Sequence, residues 1–108
     1  MKLCYQAATP DVAIADSVTA YQGTLDQSFG GLSRLGYDGV ELMTLNPGAL
    51  DWKEVKQTAD KYGLNVVLVC TGEIFGQLGL SYTSPVEDNR REAIRRSKEI
   101  IDFASYLG

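Results

Sequence analysis

The stretch RLGYDGVELM, residues 34–43, sets one carboxylate, Glu41, inside an apolar run of Val40, Leu42 and Met43. An acid in such a run either has a polar side of its strand to face or acts on a ligand. The chain has no histidine, which removes the commonest general base and every Ser–His or Cys–His pair. Chemistry done by this chain alone must rest on carboxylates, lysines or tyrosines. Cys4 and Cys70 match no metal-ligand spacing, and no histidine completes a zinc site. Both fall in strand-like runs and read as small buried hydrophobes.

The elements that position these residues fit in 108 residues, enough for one small domain with a core. Ten lysines and arginines stand against fourteen acids, a net charge of −4 that gives no reason to expect nucleic acid or an anionic membrane as a partner. No stretch approaches the ~20 apolar residues of a membrane span. The opening MKLCYQAATPD has one lysine and too short an apolar run for a secretory signal, so the cytoplasm is the expected location.

KLCYQAAT (2–9) reads as a short buried strand closed by Pro10 and Asp11, and residues 10–23 read as a loop. Thr24 and Gln27 form a capping-box pattern ahead of Leu25, Phe29, Leu32 and Leu35 at helical spacing, with Gly36 as the stop. Gly30 and Gly31 each weaken that helix by ~1 kcal/mol relative to alanine. Residues 38–44 form the next strand, followed by a turn at Asn46-Pro47-Gly48. Asp51 and Glu54 then cap a helix carrying Trp52, Val55, Ala59 and Tyr62 on one face, ended by Gly63. NVVLVCTG (65–72) has the continuous apolar character of a strand covered on both faces.

A loop is expected at 73–83, then Ser84 as cap, Pro85 in the first turn and a helix over 85–107. Its predicted apolar face is Ala93, Ile94, Ser97, Ile100, Ile101, Ala104 and Leu107. Its arginines alternate with Glu87, Asp88, Glu92 and Glu99, which is a solvated helix face rather than a nucleic-acid patch.

LGYDGVEL (35–42) and YGLNVVLV (62–69) are one phrase repeated at an offset of 27 residues, and YLG (106–108) begins it again. On that pattern a further strand is expected at the next residue. Alternating strands and helices with short connections give parallel βαβ units. No GxGxxG or GxxxxGK[ST] follows a strand, so a dinucleotide or P-loop site lacks its phosphate cradle. The expected fold is α/β, with βαβαβα units forming the first three strands of a (β/α)8 barrel. A complete barrel needs about 250 residues. Cys4 and Cys70 then lie two strand spacings apart, roughly 9.6 Å, beyond the ~7 Å Cα limit for a disulfide.

Through GYDGVEL, the TG closing the third strand, and SPVEDNRREAIRRSKEIIDFASYLG, the chain resembles the xylose isomerase-like TIM barrels over its whole length. The resemblance implies a sugar or sugar-phosphate isomerase or epimerase that moves a proton beside a carbonyl. It also implies a divalent metal (Mn, Mg, Co or Zn) held by two glutamates, an aspartate and a histidine on later strands. This chain alone is then expected to bind no metal and to lack the catalytic centre. Lyases and dehydratases belong to the same superfamily, and an inert, self-associating barrel fragment is the rival outside it. The DNA-repair branch carries metal-binding histidines in its N-terminal half, and this chain has none. The expected partners are a small sugar or sugar phosphate, together with a second copy or the rest of the barrel.

Strand side chains alternate. With Val40 and Leu42 toward the helices, Gly39, Glu41 and Met43 face the barrel interior, and Glu41 lies near the C-terminal mouth where barrel sites are built. The resemblance also implies a pocket-lining glutamate there. The alternative is a buried acid tying neighbouring strands together. Thr9, Gly72 and Glu73 end the first and third strands at the same mouth. Gly72 lets a ligand approach the backbone, and Glu73 is either a pocket residue or a solvated loop acid.

Overall fold

A computed structural model describes all 108 residues. Three strands, β1 (Cys4–Ala8), β2 (Gly39–Met43) and β3 (Asn65–Cys70), pair in parallel in the order β1-β2-β3. Between and after them run helices α1 (Leu25–Arg34), α2 (Trp52–Lys61), α3 (Gly72–Gly76) and α4 (Glu87–Leu107), with a 3-10 turn at Pro47–Ala49. The sheet is open: β3 has β2 as its only strand neighbour.

The repeated phrase performs the same local task twice. Gly36 (φ +85°) and Gly63 (φ +66°) end α1 and α2 in the left-handed region that glycine enters without strain. Asp38 then locks β2 to β1: the Leu3 N–H donates to Asp38 Oδ2 at 2.8 Å, and the Asp38 N–H donates to the Leu3 carbonyl at 2.8 Å. One phrase later the Asn65 N–H donates to the Asp38 carbonyl at 3.1 Å. Gly39 follows because nothing larger fits. A Cβ there would lie 2.8 Å from the Asn65 carbonyl oxygen and 2.9 Å from Cys4 Sγ.

The core lies on the helix side of the sheet. Ala7, Val40 and Leu42 meet Leu25, Phe29 and Leu32 of α1, Val55 and Ala59 of α2, and Phe103 and Leu107 of α4. Each of the larger side chains contributes about 1.5–3 kcal/mol by leaving water. Trp52 packs between Phe103 and Tyr106, with ring centroids 5.3 and 5.5 Å away, and donates from Nε1 to the Pro47 carbonyl at 2.8 Å. The α1 capping box forms as read: Thr24 Oγ1 accepts from the Gln27 N–H at 3.2 Å and Gln27 Oε1 from the Thr24 N–H at 3.0 Å. Asp51 caps α2 through the Glu54 N–H at 3.1 Å.

Several expectations need correction. Residues 10–23 are not wholly irregular: Tyr21 pairs alongside β1, donating to the Gln6 carbonyl at 2.8 Å and accepting from the Ala8 N–H at 2.9 Å. This covers part of the outer edge of β1. Tyr21 also explains Gly31, where a Cβ would sit 2.6 Å from its hydroxyl, while a Cβ on Gly30 would press on the Tyr62 ring at 3.2 Å.

The expected loop at 73–83 begins with a short helix, α3. Helix α4 starts at Glu87, not at Pro85, with Val86 rather than Ser84 as its cap residue. Val86 is extended there, and Ser84 accepts from the Val86 N–H and from Arg90. Leu35 is 71% exposed and Ile101 63%, and Ile94 is also exposed. On α4 the buried line is Ala93, Ile100, Phe103 and Leu107, and Ile94 and Ile101 lie one residue round the helix from it. In β3, Val66 and Val69 pack on the core while Val67 and Leu68 are 55% and 50% exposed. That strand is therefore covered on its helix side only.

The basic face of α4 is a local ion network. Arg95 pairs with Glu92 and Glu99 at 2.5 Å each, Arg96 with Glu92 at 3.1 Å, and Arg91 with Glu87 at 2.5 Å. The Arg95 hydrogen bond lowers the Glu92 carboxyl from 4.5 to about 2. A depressed carboxyl stabilises the fold above its unfolded value and loses that contribution as pH falls through the folded one. Glu92 should therefore support α4 fully above pH 4.5 and progressively less down to about pH 2. Carbon-detected NMR titration of its side chain should show a midpoint near 2, and one near 4.5 would mean that the network does not persist in solution.

Candidate functional site

The face of the sheet away from the helices carries Cys4, Gln6 and Ala8 from β1, and Gly39, Glu41 and Met43 from β2. From β3 it carries Val67, Leu68 and Cys70. The β2–β3 register shifts between Val40 and Glu41, pairing Val40 with Val66 but Glu41 with Leu68. The extra residue, Val67, lies over Gly39, 3.1 Å from where a Cβ would be. The bulge thus puts two consecutive apolar side chains beside Glu41.

Glu41 is half-buried on this inner face, and its Oε1 accepts from Gln6 Nε2 at 2.6 Å. The two residues are register partners across β1 and β2, so their meeting follows from the parallel ladder. The bond leaves Glu41 Oε2 and Gln6 Oε1 without protein donors. No lysine or arginine pairs with Glu41. Further along the same face Met43 and Ala8 are buried under Val12, Val18 and Ala20 of the β1–α1 loop.

The loops at this end are organised by Asp11. Its Oδ2 accepts from the Leu45 N–H at 2.8 Å, the Asn46 N–H at 2.6 Å and Thr44 Oγ1 at 3.2 Å. Its Oδ1 accepts from Thr9 Oγ1 at 2.5 Å. One carboxylate thereby binds the C-terminal ends of β1 and β2. A second tie joins the β1–α1 loop to the end of α3: Gln77 accepts from the Ala13 N–H and donates to the Ala13 carbonyl, both at 3.3 Å.

Thr9 lies at the end of β1 as expected, but it is fully buried, with its hydroxyl between Asp11 and the Met43 carbonyl at 3.0 Å. Gly72 begins α3, exposed, its N–H donating to Cys70 Sγ at 3.4 Å. Glu73 is half-buried and lines a space of about 530 Å³ with Ser17, Val18, Gly76 and Gln77. No hydrogen bond or ion pair joins Glu41 to Thr9, Gly72 or Glu73. A separate cavity of about 480 Å³, lined by Thr9, Gln22, Thr24 and Glu54, lies at the N-terminal ends of α1 and α2 and does not include Glu41.

Gln6, Asp11 and Gln77 are the polar residues that the sequence did not single out. Gln6 was findable from β-pairing, as the inward polar residue of YQA opposite Glu41. Asp11 reads in sequence only as a strand-closing turn residue. Both cysteines are free, but they are not the buried hydrophobes expected: Cys4 is exposed and Cys70 half-buried, because both lie on the face of the sheet that no helix covers. The 108 residues bring together no group of three or more His, Cys, Asp or Glu side chains able to hold a metal ion. No helix is long and apolar enough to cross a membrane.

The family model described as the xylose isomerase-like TIM barrel matches residues 30–108. The matched stretch contains Glu41, Gly72 and Glu73, and leaves out β1 with Gln6, Thr9 and Asp11. No curated protein matches the chain.

Proposed function

The chain belongs to the xylose isomerase-like TIM barrel family, and from that premise we propose that it is the N-terminal part of a metal-dependent sugar or sugar-phosphate isomerase or epimerase. In that reaction a proton leaves the carbon beside a carbonyl. It returns to the neighbouring carbon in an isomerase, or to the other face of the same carbon in an epimerase. The observation that carries the reading is Glu41, held by Gln6 on the inner face of an open parallel sheet with one carboxylate oxygen free. Its task is to receive a substrate hydroxyl. Thr9, Gly72 and Glu73 shape the same mouth, Thr9 through Asp11. The divalent metal and the groups that move the proton belong to the rest of the barrel.

The test is aldose–ketose interconversion by the full-length barrel in deuterated water. The expected result is deuterium at the carbon beside the carbonyl, with turnover lost on chelation and restored by Mn, Mg, Co or Zn. Turnover that survives exhaustive chelation would contradict the metal requirement.

A second reading is favoured by the exposed Val67 and Leu68 and the unpaired edge of β3. The 108-residue chain by itself associates, because a free strand edge beside apolar side chains is a template for pairing. Edge-to-edge pairing at β3 extends the sheet. Sedimentation velocity at micromolar concentration should show dimers or larger species, whereas a single sharp monomer would show that the edge is protected in solution.

A further inference from the structure

We infer that the part of the mouth built by these three units receives an uncharged, hydroxyl-bearing segment of the substrate, bound by the Gln6–Glu41 pair, and turns away a phosphate. The inference rests on the sugar-converting reading above and narrows it.

The pair offers two free acceptors, one of them charged, against a single spare donor, the second N–H of Gln6 Nε2. Because a carboxylate can only accept, Gln6 must present Nε2 to Glu41, which turns its own carbonyl oxygen outward. Glu41 Oε2 and Gln6 Oε1 are then two free acceptors side by side, one of them charged. Sugar hydroxyls supply donors to both. A phosphate dianion supplies none and adds like charge.

The surroundings repeat that preference. The three connections that follow the strands, residues 9–24, 44–51 and 71–86, contain Asp11, Asp16, Asp51 and Glu73 and no lysine or arginine. The nearest cations in sequence are Lys53, exposed in the first turn of α2, and Arg90, whose guanidinium donates to the Ser84 carbonyl at 2.6 Å. Helix N-termini are the other common phosphate sites, and here they already carry acids. Thr24 and Gln27 close α1 ahead of Asp26, Asp51 caps α2 ahead of Glu54, and α4 opens with Glu87 and Asp88. Beside Glu41, Val67 and Leu68 supply apolar surface suited to the C–H face of a sugar rather than to an ion.

The experiment is a titration of the 15N-labelled full-length barrel, stripped of metal, at low ionic strength with D-fructose and, separately, D-fructose 6-phosphate, read at the Gln6 side-chain amide and the β2 backbone amides. Fructose should shift these resonances with a Kd roughly tenfold or more below that of the phosphate ester, the scale expected for a dianion beside a carboxylate in a weakly screened site. Added salt should narrow the gap. Glu41→Gln should weaken fructose binding and reduce the discrimination, with the remaining amide spectrum unchanged. Equal or tighter binding of the phosphate ester at these resonances would overturn the inference, and so would the absence of a shift with either sugar. The readout is binding rather than turnover, so its failure is separate from that of the isomerase reading, which the chelation assay decides.

Discussion

Replacing Asp11 with alanine should cost the fold about 3 kcal/mol, a large share of the stability of a small domain. Four donors converge on this one half-buried carboxylate: two loop N–H groups and the hydroxyls of Thr9 and Thr44. Thr9 and Thr44 are themselves fully buried; removing Asp11 leaves Thr9 only the Met43 carbonyl and strands the Thr44 hydroxyl away from water. Hydrogen bonds to a charged acceptor are worth about 1.5–3 kcal/mol each where no solvent replaces them. Loop relaxation and water at the exposed side will recover part of that sum. Urea denaturation followed by circular dichroism should show a lower midpoint with an unchanged slope. Asp11→Asn, which keeps one acceptor, should lose about half as much. A change under ~0.5 kcal/mol for the alanine variant would mean that the ends of β1 and β2 hold together without this carboxylate.

The contrast between Asp11 and Glu41 marks how much of the site was legible in the sequence. Glu41 stood out because period-2 alternation places a strand residue on a definite face, and an acid on the inner face of an apolar strand violates the pattern. Asp11 violated nothing. An aspartate after proline at the end of a strand is ordinary turn chemistry, and its partners at 44–46 become neighbours only once β1 and β2 pair in register. The same distinction runs through the fold. Caps at Thr24 and Asp51 and stops at Gly36 and Gly63 are local, and the structure reproduces them.

What depends on distant neighbours was less legible. Gly30 and Gly31 look like weaknesses in α1 until Tyr21 and Tyr62 are seen against them. Ile94 and Ile101 satisfy the helical period, but the sheet covers only the narrower stripe through Ile100 and Phe103. The bulge that turns both Val67 and Leu68 inward cannot be read from an unbroken run of β-branched residues.

Glu41→Gln in the full-length barrel is the second large effect. The amide keeps the shape and the possibility of a bond with Gln6 while removing the charge, so what it changes is the acceptor strength offered to a substrate hydroxyl. A pocket role then predicts a fall in kcat/KM of tenfold or more, about 1.4 kcal/mol of lost transition-state stabilisation. The melting temperature should barely move, because the Gln6 contact is partly exposed and its replacement leaves no buried charge unpaired. A strand-tying role predicts the reverse, since weakening the one side-chain bond between the inner faces of β1 and β2 would loosen the sheet without touching the chemistry.

The measurement that tests the central claim most directly is therefore paired: steady-state kinetics per folded molecule and the thermal melt, on wild type and Glu41→Gln side by side. The expected result is at least a tenfold loss of kcat/KM at an unchanged Tm. A lowered Tm with near-normal kinetics would make Glu41 a tie between strands, and no change in either would make it a solvated acid with no part in the site.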